Sequence, residues 1–180
     1  KYMLSINPDM KAPLVILLAF VIGGLSAAAA GLIVGIPALR LSGDYLAIVT
    51  LAFGEIVRSV CENLKITNGA NGLNGIENFT NYKHFTYAFV IMVITVAVIT
   101  NLIHSRQGRA ILSVRDNHIA AQSLGINISR YKLLAFVTGS FFAGIAGVIH
   151  AHNQGSIFPS EAGYNKSIDI LVIVVLGGMG

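Results

Sequence analysis

Long apolar stretches alternate with short polar ones along the 180 residues. The stretches 12–36, 84–103 and 132–151 are each long enough, at 1.5 Å per residue, to cross roughly 30 Å of hydrocarbon. A fourth, 45–60, would rise only about 24 Å as a helix, and it carries Thr50, Gly54, Glu55 and Arg58. Ionisable groups at membrane depth face protein or water rather than lipid, so this stretch predicts a short, broken or tilted helix turned inward. A fifth begins at Ile168 and is still apolar near residue 180. The pattern predicts an all-α fold over 1–180, a polytopic transmembrane helical bundle in one domain. Because the chain starts at Lys1 and stops inside an apolar run, the expectation is a fragment of a longer membrane protein.

Within the first stretch Gly23, Ala27, Gly31 and Gly35 recur every four residues, and Ser140 and Gly144 repeat the spacing in 132–151. Small residues at that interval bare one helix face, so a neighbouring backbone can approach closely. A groove lining a substrate path is the alternative use. Pro37 is expected to end the first helix. The segment 61–83 reads as a polar loop whose NGANGLNG run favours left-handed turns. Glu62 counts among its mutually cancelling charges. Residues 153–166, around Pro159, form a second polar loop.

Composition agrees with the pattern: 54% of residues are hydrophobic, 11% are charged and the mean hydropathy is +0.73. A soluble domain needs far more polar surface. The isoelectric point near 9.4 raises the question of a nucleic-acid partner. The basic residues, however, lie between apolar runs instead of forming a patch, which excludes that partner class. Cys61 is the sole cysteine, so neither an intrachain disulfide nor a thiolate metal cluster can form. His150 and His152, two residues apart on a helix, point to different faces, and no metal site is expected.

Charge also orients the chain. The segment 104–131 holds Arg106, Arg109, Arg115 and Arg130, with Lys132 just after it and Asp116 as its one acid, which places it in the cytoplasm. A complete crossing by 45–60 then puts the loops 61–83 and 153–166 outside, and a re-entrant 45–60 inverts the N-terminal part. Glu55 and Arg58, three residues apart, can pair on one helical face. With Asp44, Tyr45 and Thr50 they are candidates for a substrate pathway. The pair also fits a structural role, and Asp44 fits a helix cap.

The segment 104–131 predicts a helix of its own. Asp116 or Asn117 can cap its start and Gly125 its end. Extended backwards, it would gather Ile111, Val114, His118 and Ala121 within an arc of roughly 80°. Such a helix either lies among lipid headgroups or docks on another subunit.

The stretch RDNHIAAQSLGINISRYKLLAF resembles the cytoplasmic coupling loop of ABC-importer permeases, where Glu-Ala-Ala, three residues and Gly contact an ATPase. Ala120, Ala121 and Gly125 match that spacing, and Ile119 stands at the Glu position. A closer resemblance is to the LivM-type permeases of branched-chain amino acid importers. It is carried by PALRLSGDYLAIVTLAFGEIVR, TNGANGLNGI, GRAILSVRDNHIAAQSLGIN and SIDILVIVVLGGMG, with His118 and Gln122 standing where that group has acidic residues. The resemblance implies a non-enzymatic transport subunit, multi-pass in a bacterial inner (plasma) membrane, with membrane lipid around it. Its coupling helix would include Arg115, Asp116, His118, Ala120, Ala121 and Gly125. The implied partners are cytoplasmic ATPase subunits, a second and different permease chain and an external solute-binding protein. No cofactor is expected on this chain, which lacks GxxxxGK[ST]; ATP and Mg would sit on the ATPase. A permease for another small solute such as urea, and an ion-coupled secondary transporter, are the alternatives.

Overall fold

The computed structural model describes residues 8–41, 44–64, 68–76 and 82–178. Helices dominate: α1 (Pro8–Ala38), α2 (Asp44–Asn63), α3 (Tyr82–His104), α4 (Arg106–Asp116), α5 (His118–Ser123), α6 (Ile128–Gln154) and α7 (Tyr164–Leu176). Two short strands, β1 (Leu73–Asn74) and β2 (Ser156–Ile157), pair antiparallel. By length and composition Ile16–Ala38 and Ile128–Gln154 suit a membrane crossing, and α3 with α4 is a third candidate as a bent pair. Large apolar side chains such as Ile33, Met92 and Ile173 lie exposed along α1, α3 and α7, as lipid-facing helices require. The chain is a helical membrane protein. It divides into two units, Lys1–Leu39 with Thr80–His150, and Arg40–Phe79 with Ala151–Gly180.

In the first unit α1 meets α6 through its glycines. Gly23 abuts Val148, Gly24 lies under the Phe141 ring, Gly31 faces Ser140, and Gly35 faces Leu133 and Phe136. Gly144 returns the fit, lying against the Gly23 carbonyl and the Ala27 methyl. At each of these positions an added methyl would collide with the facing helix, so the missing side chains are what allow the approach. The Ser140 hydroxyl, part-buried in this contact, donates to the Phe136 carbonyl 2.9 Å away and leaves no unmet donor. Pro37 does not stop α1, which runs one residue further to Ala38. A proline lacks only its own N–H, and the turn still closes through Leu39 N–H to the Gly35 carbonyl at 2.9 Å.

Of the short, broken and tilted readings of 45–60, the structure removes the break. α2 is one continuous helix, while α3 and α4 meet at 76° across Ser105. The Ser105 hydroxyl accepts from Gly108 N–H at 3.0 Å and donates to the Leu102 carbonyl at 2.6 Å. Arg109 Nη1 donates to the His104 carbonyl at 3.1 Å, satisfying an exposed group at the end of α3. Gly108 is buried against the Leu102 and Ile103 carbonyls with no space for a Cβ.

In the second unit α2 extends beyond the expected 45–60 to Asn63, and 20 residues rise about 30 Å. Glu62 therefore belongs to this helix and not to the loop. The NGANGLNG run is more than a loop, since it forms a 3-10 turn at Gly69–Asn71 and then β1. Asn68, Gly69, Gly72 and Gly75 take positive φ. Gly72 packs against the Ile157 carbonyl, which brings Leu73 opposite Ile157 and Asn74 opposite Ser156. The two polar loops are thus on the same side. α7 starts at Tyr164, four residues before the expected Ile168.

Candidate functional site

The polar face of α2 meets the start of α7. Residues 55, 58 and 62 lie one helical turn apart in succession, so their side chains share a face. Arg58 uses that geometry twice: Nη1 reaches Glu55 Oε2 and Nε reaches Glu62 Oε1, each at 3.0 Å. The second oxygen of Glu55 accepts from Tyr164 N–H at 3.1 Å. Gly163, the N-cap of α7, supplies no side-chain cap, so Glu55 does the capping from another helix. A carboxylate is favourable there because the first N–H groups of a helix are unpaired and its dipole is positive. A Cβ at Gly163 would stand 3.5 Å from Arg58 Nη1, an ordinary contact, which places the Arg58 guanidinium beside the start of α7. An open cavity of about 310 Å³ lies beside this network, lined among others by Glu161, Lys166 and Asp169.

The expected pathway residues do not all converge here. Asp44 is the first residue of α2, and its side chain lies outside the described part of the structure. Tyr45 is exposed at that same end, roughly 20 Å along the helix from Arg58. The Thr50 hydroxyl is engaged by its own helix, donating to the Leu46 and Ala47 carbonyls at 2.9 and 3.0 Å. Among the described side chains of the five, Glu55 and Arg58 line the cavity. Sequence reasoning missed Glu62, although it stands four residues after Arg58. Lys166 falls in the polar loop of the sequence reading because α7 starts at Tyr164 instead of Ile168, whereas Asp169 lies within the expected fifth stretch without any local signal of a site.

The residues expected in the coupling helix fall on two helices. Asn117 is extended, with φ −152° and ψ 99°, so α4 stops at Asp116 and no continuous helix gathers Ile111, Val114, His118 and Ala121. Arg115 and Asp116 close α4 and pair with each other at 3.1 Å. Asn117, not Asp116, caps α5: its Oδ1 accepts from Ile119 and Ala120 N–H at 3.1 and 3.0 Å. His118, Ala120 and Ala121 lie within α5. At the far end Gly125 has φ +79°, and its N–H and that of Ile126 bond to the Gln122 and Ala121 carbonyls at 3.0 and 3.1 Å. This is a Schellman closure, which favours glycine at the left-handed position. Ala121 is buried, while Ile119 and Leu124 are 70% and 79% exposed. α5 thus offers apolar side chains on a short helix held at both ends.

The family model described as the branched-chain amino acid transport system permease component matches residues 2–180. The high-affinity branched-chain amino acid transport system permease protein LivM of Escherichia coli is 40% identical over 88% of this chain and 45% of its own length. LivM of Salmonella typhimurium is 39% identical over the same shares. The ribose import permease protein RbsC of Escherichia coli is 33% identical over 42% of this chain and 23% of its own. No solved structure matches. The chain spans a little under half the length of the LivM relatives. Matched from residue 2 to residue 180, it belongs to the branched-chain amino acid transport system permease components, a family of transport subunits and not of enzymes.

Proposed function

We propose that this chain is the permease subunit of an ATP-driven importer that moves branched-chain amino acids across the bacterial inner membrane by alternating access. The similarity to LivM carries the reading. It extends over 88% of the chain, whereas the ribose permease is similar over 42%, and this favours amino acids over sugars as cargo. In this reading α5 is the coupling helix, seated on a cytoplasmic ATPase subunit that holds ATP and Mg. A different permease chain completes the pathway, and an external solute-binding protein delivers the cargo on the β1–β2 side. Arg106, Arg109, Arg115 and Arg130 keep the α4–α5 segment cytoplasmic, in keeping with the bias of basic residues to that side.

Reconstituted uptake tests this. With ion gradients collapsed, leucine should enter proteoliposomes only when ATP is supplied to the ATPase side. Uptake that follows a gradient and ignores ATP overturns the proposal. Arg115→Ala and Gly125→Ala should weaken co-purification of the ATPase subunit. An ATPase that stays bound and stimulated in both variants removes these residues from the coupling contact.

A further inference from the structure

The cavity at the start of α7 holds more charge than the α2 network uses. On its α2 wall Glu55 is paired with Arg58, which also holds Glu62. On the α7 wall Lys166 and Asp169, three residues apart, line the same cavity. Neither side chain makes a hydrogen bond or ion pair with another described residue. Asp169 lies inside the apolar run of α7, flanked by Ile168 and Ile170, and an ionisable residue in such a setting marks a pathway or a partner. The volume of about 310 Å³ falls at the lower end of small-molecule sites, roughly 300–1,000 Å³. One cation and one anion on the same helical face, both without a partner among the described residues, match a small molecule carrying both charges. A neutral solute such as urea or a pentose would leave both unmet.

We propose that this cavity is a subsite for the charged head group of an α-amino acid, with Lys166 facing its carboxylate and Asp169 its ammonium, a reading that rests on the importer assignment above. The test compares leucine, leucinamide (no carboxylate) and 4-methyl-2-oxopentanoate (no ammonium) in proteoliposomes holding the complete importer and its binding protein. Lys166→Gln should reduce the preference for leucine over leucinamide roughly tenfold, the scale of one lost charged hydrogen bond, and leave the preference over the oxo acid unchanged. Asp169→Asn should do the converse, and Lys166→Arg should restore the first preference. Because the binding protein is the same throughout, a changed ratio originates in the permease. ATP-driven leucine uptake with all three solutes scaled alike in both variants overturns the subsite and leaves the importer reading standing. No ATP-driven leucine uptake by the unmodified importer overturns that reading instead. Loss of binding-protein capture with unchanged ratios makes the cavity a docking surface and also overturns the subsite. A measurement independent of variant activity uses Ser160→Cys at the cavity wall with Cys61→Ser: leucine should slow its labelling by a charged thiol reagent, and no protection sinks the proposal.

Discussion

Glu55 and Tyr164 are 109 positions apart in sequence, yet the carboxylate of one accepts the backbone N–H of the other at 3.1 Å. One side chain therefore both caps α7 and holds Arg58. The two roles are separable. Glu55→Gln keeps an oxygen for the Tyr164 N–H and loses the charge facing Arg58, whereas Glu55→Ala loses both. ATP-driven uptake should fall about tenfold or more in the alanine variant and less in the glutamine variant, on the scale of one or two charged hydrogen bonds. Subunit co-purification should persist in both. Normal uptake by Glu55→Ala would remove Glu55 from the transport pathway.

Helix packing gives a second expectation. Gly144→Ala places a methyl against the Gly23 carbonyl and the Ala27 methyl, while Gly139 on the same helix has nothing within 4 Å of an added Cβ. The first change should cost about 1–3 kcal/mol through overpacking. Gly139→Ala should be neutral or stabilising by up to about 1 kcal/mol from helix propensity. Thermal unfolding in detergent measures both, and equal losses would show that α1 and α6 do not meet through Gly144.

A third concerns the elbow at Ser105. Gly108→Ala forces the first turn of α4 away from the Leu102 and Ile103 carbonyls, and the Arg109 bond to His104 should be lost with it. The expected result is faster amide exchange across 105–112 and a loss of about 1–3 kcal/mol. Unchanged exchange would mean that the bend tolerates a side chain at 108.

The fourth tests α5. Asn117→Ala removes the acceptor for two N–H groups and should cost about 1 kcal/mol of local helix stability; Asn117→Asp should retain it. Hydrogen exchange over 119–124 reads the helix, and leucine-stimulated ATP hydrolysis reads the coupling. If exchange rises while stimulation is unaffected, a preformed α5 is not needed for coupling.

Much of this was legible from local signals. Apolar length located the helices, four-residue spacing marked the glycine faces of α1 and α6, and Asn117 and Gly125 bounded α5. Gly and Asn in NGANGLNG signalled left-handed turns, as Asn68, Gly69, Gly72 and Gly75 adopt. These features depend on neighbours within about one helical turn, so the linear order contains them.

Errors arose where a boundary depends on a partner. Apolar length ends α2 at residue 60 because Glu62 reads as a loop charge, although pairing with Arg58 lets it continue the helix. The start of α7 is not legible locally because its cap comes from Glu55 and no nearby residue announces it. Charges in 45–60 suggest a short, broken or tilted helix; α2 is unbroken, and the sharp bend lies at Ser105, where Gly108 permits a close turn that no charge signals.

The sequence by itself determined that this is a nearly all-α membrane protein, where most of its helices run, and which faces are bare enough to pack. Only the tertiary structure decided that Gly144 meets Gly23, that Leu73 pairs with Ile157, and that Glu55, Arg58, Lys166 and Asp169 border one cavity. The physical reason is range. Burial pattern and helix ends are set by residues a few positions apart, whereas a contact across 80 or more positions exists only once the intervening chain has folded.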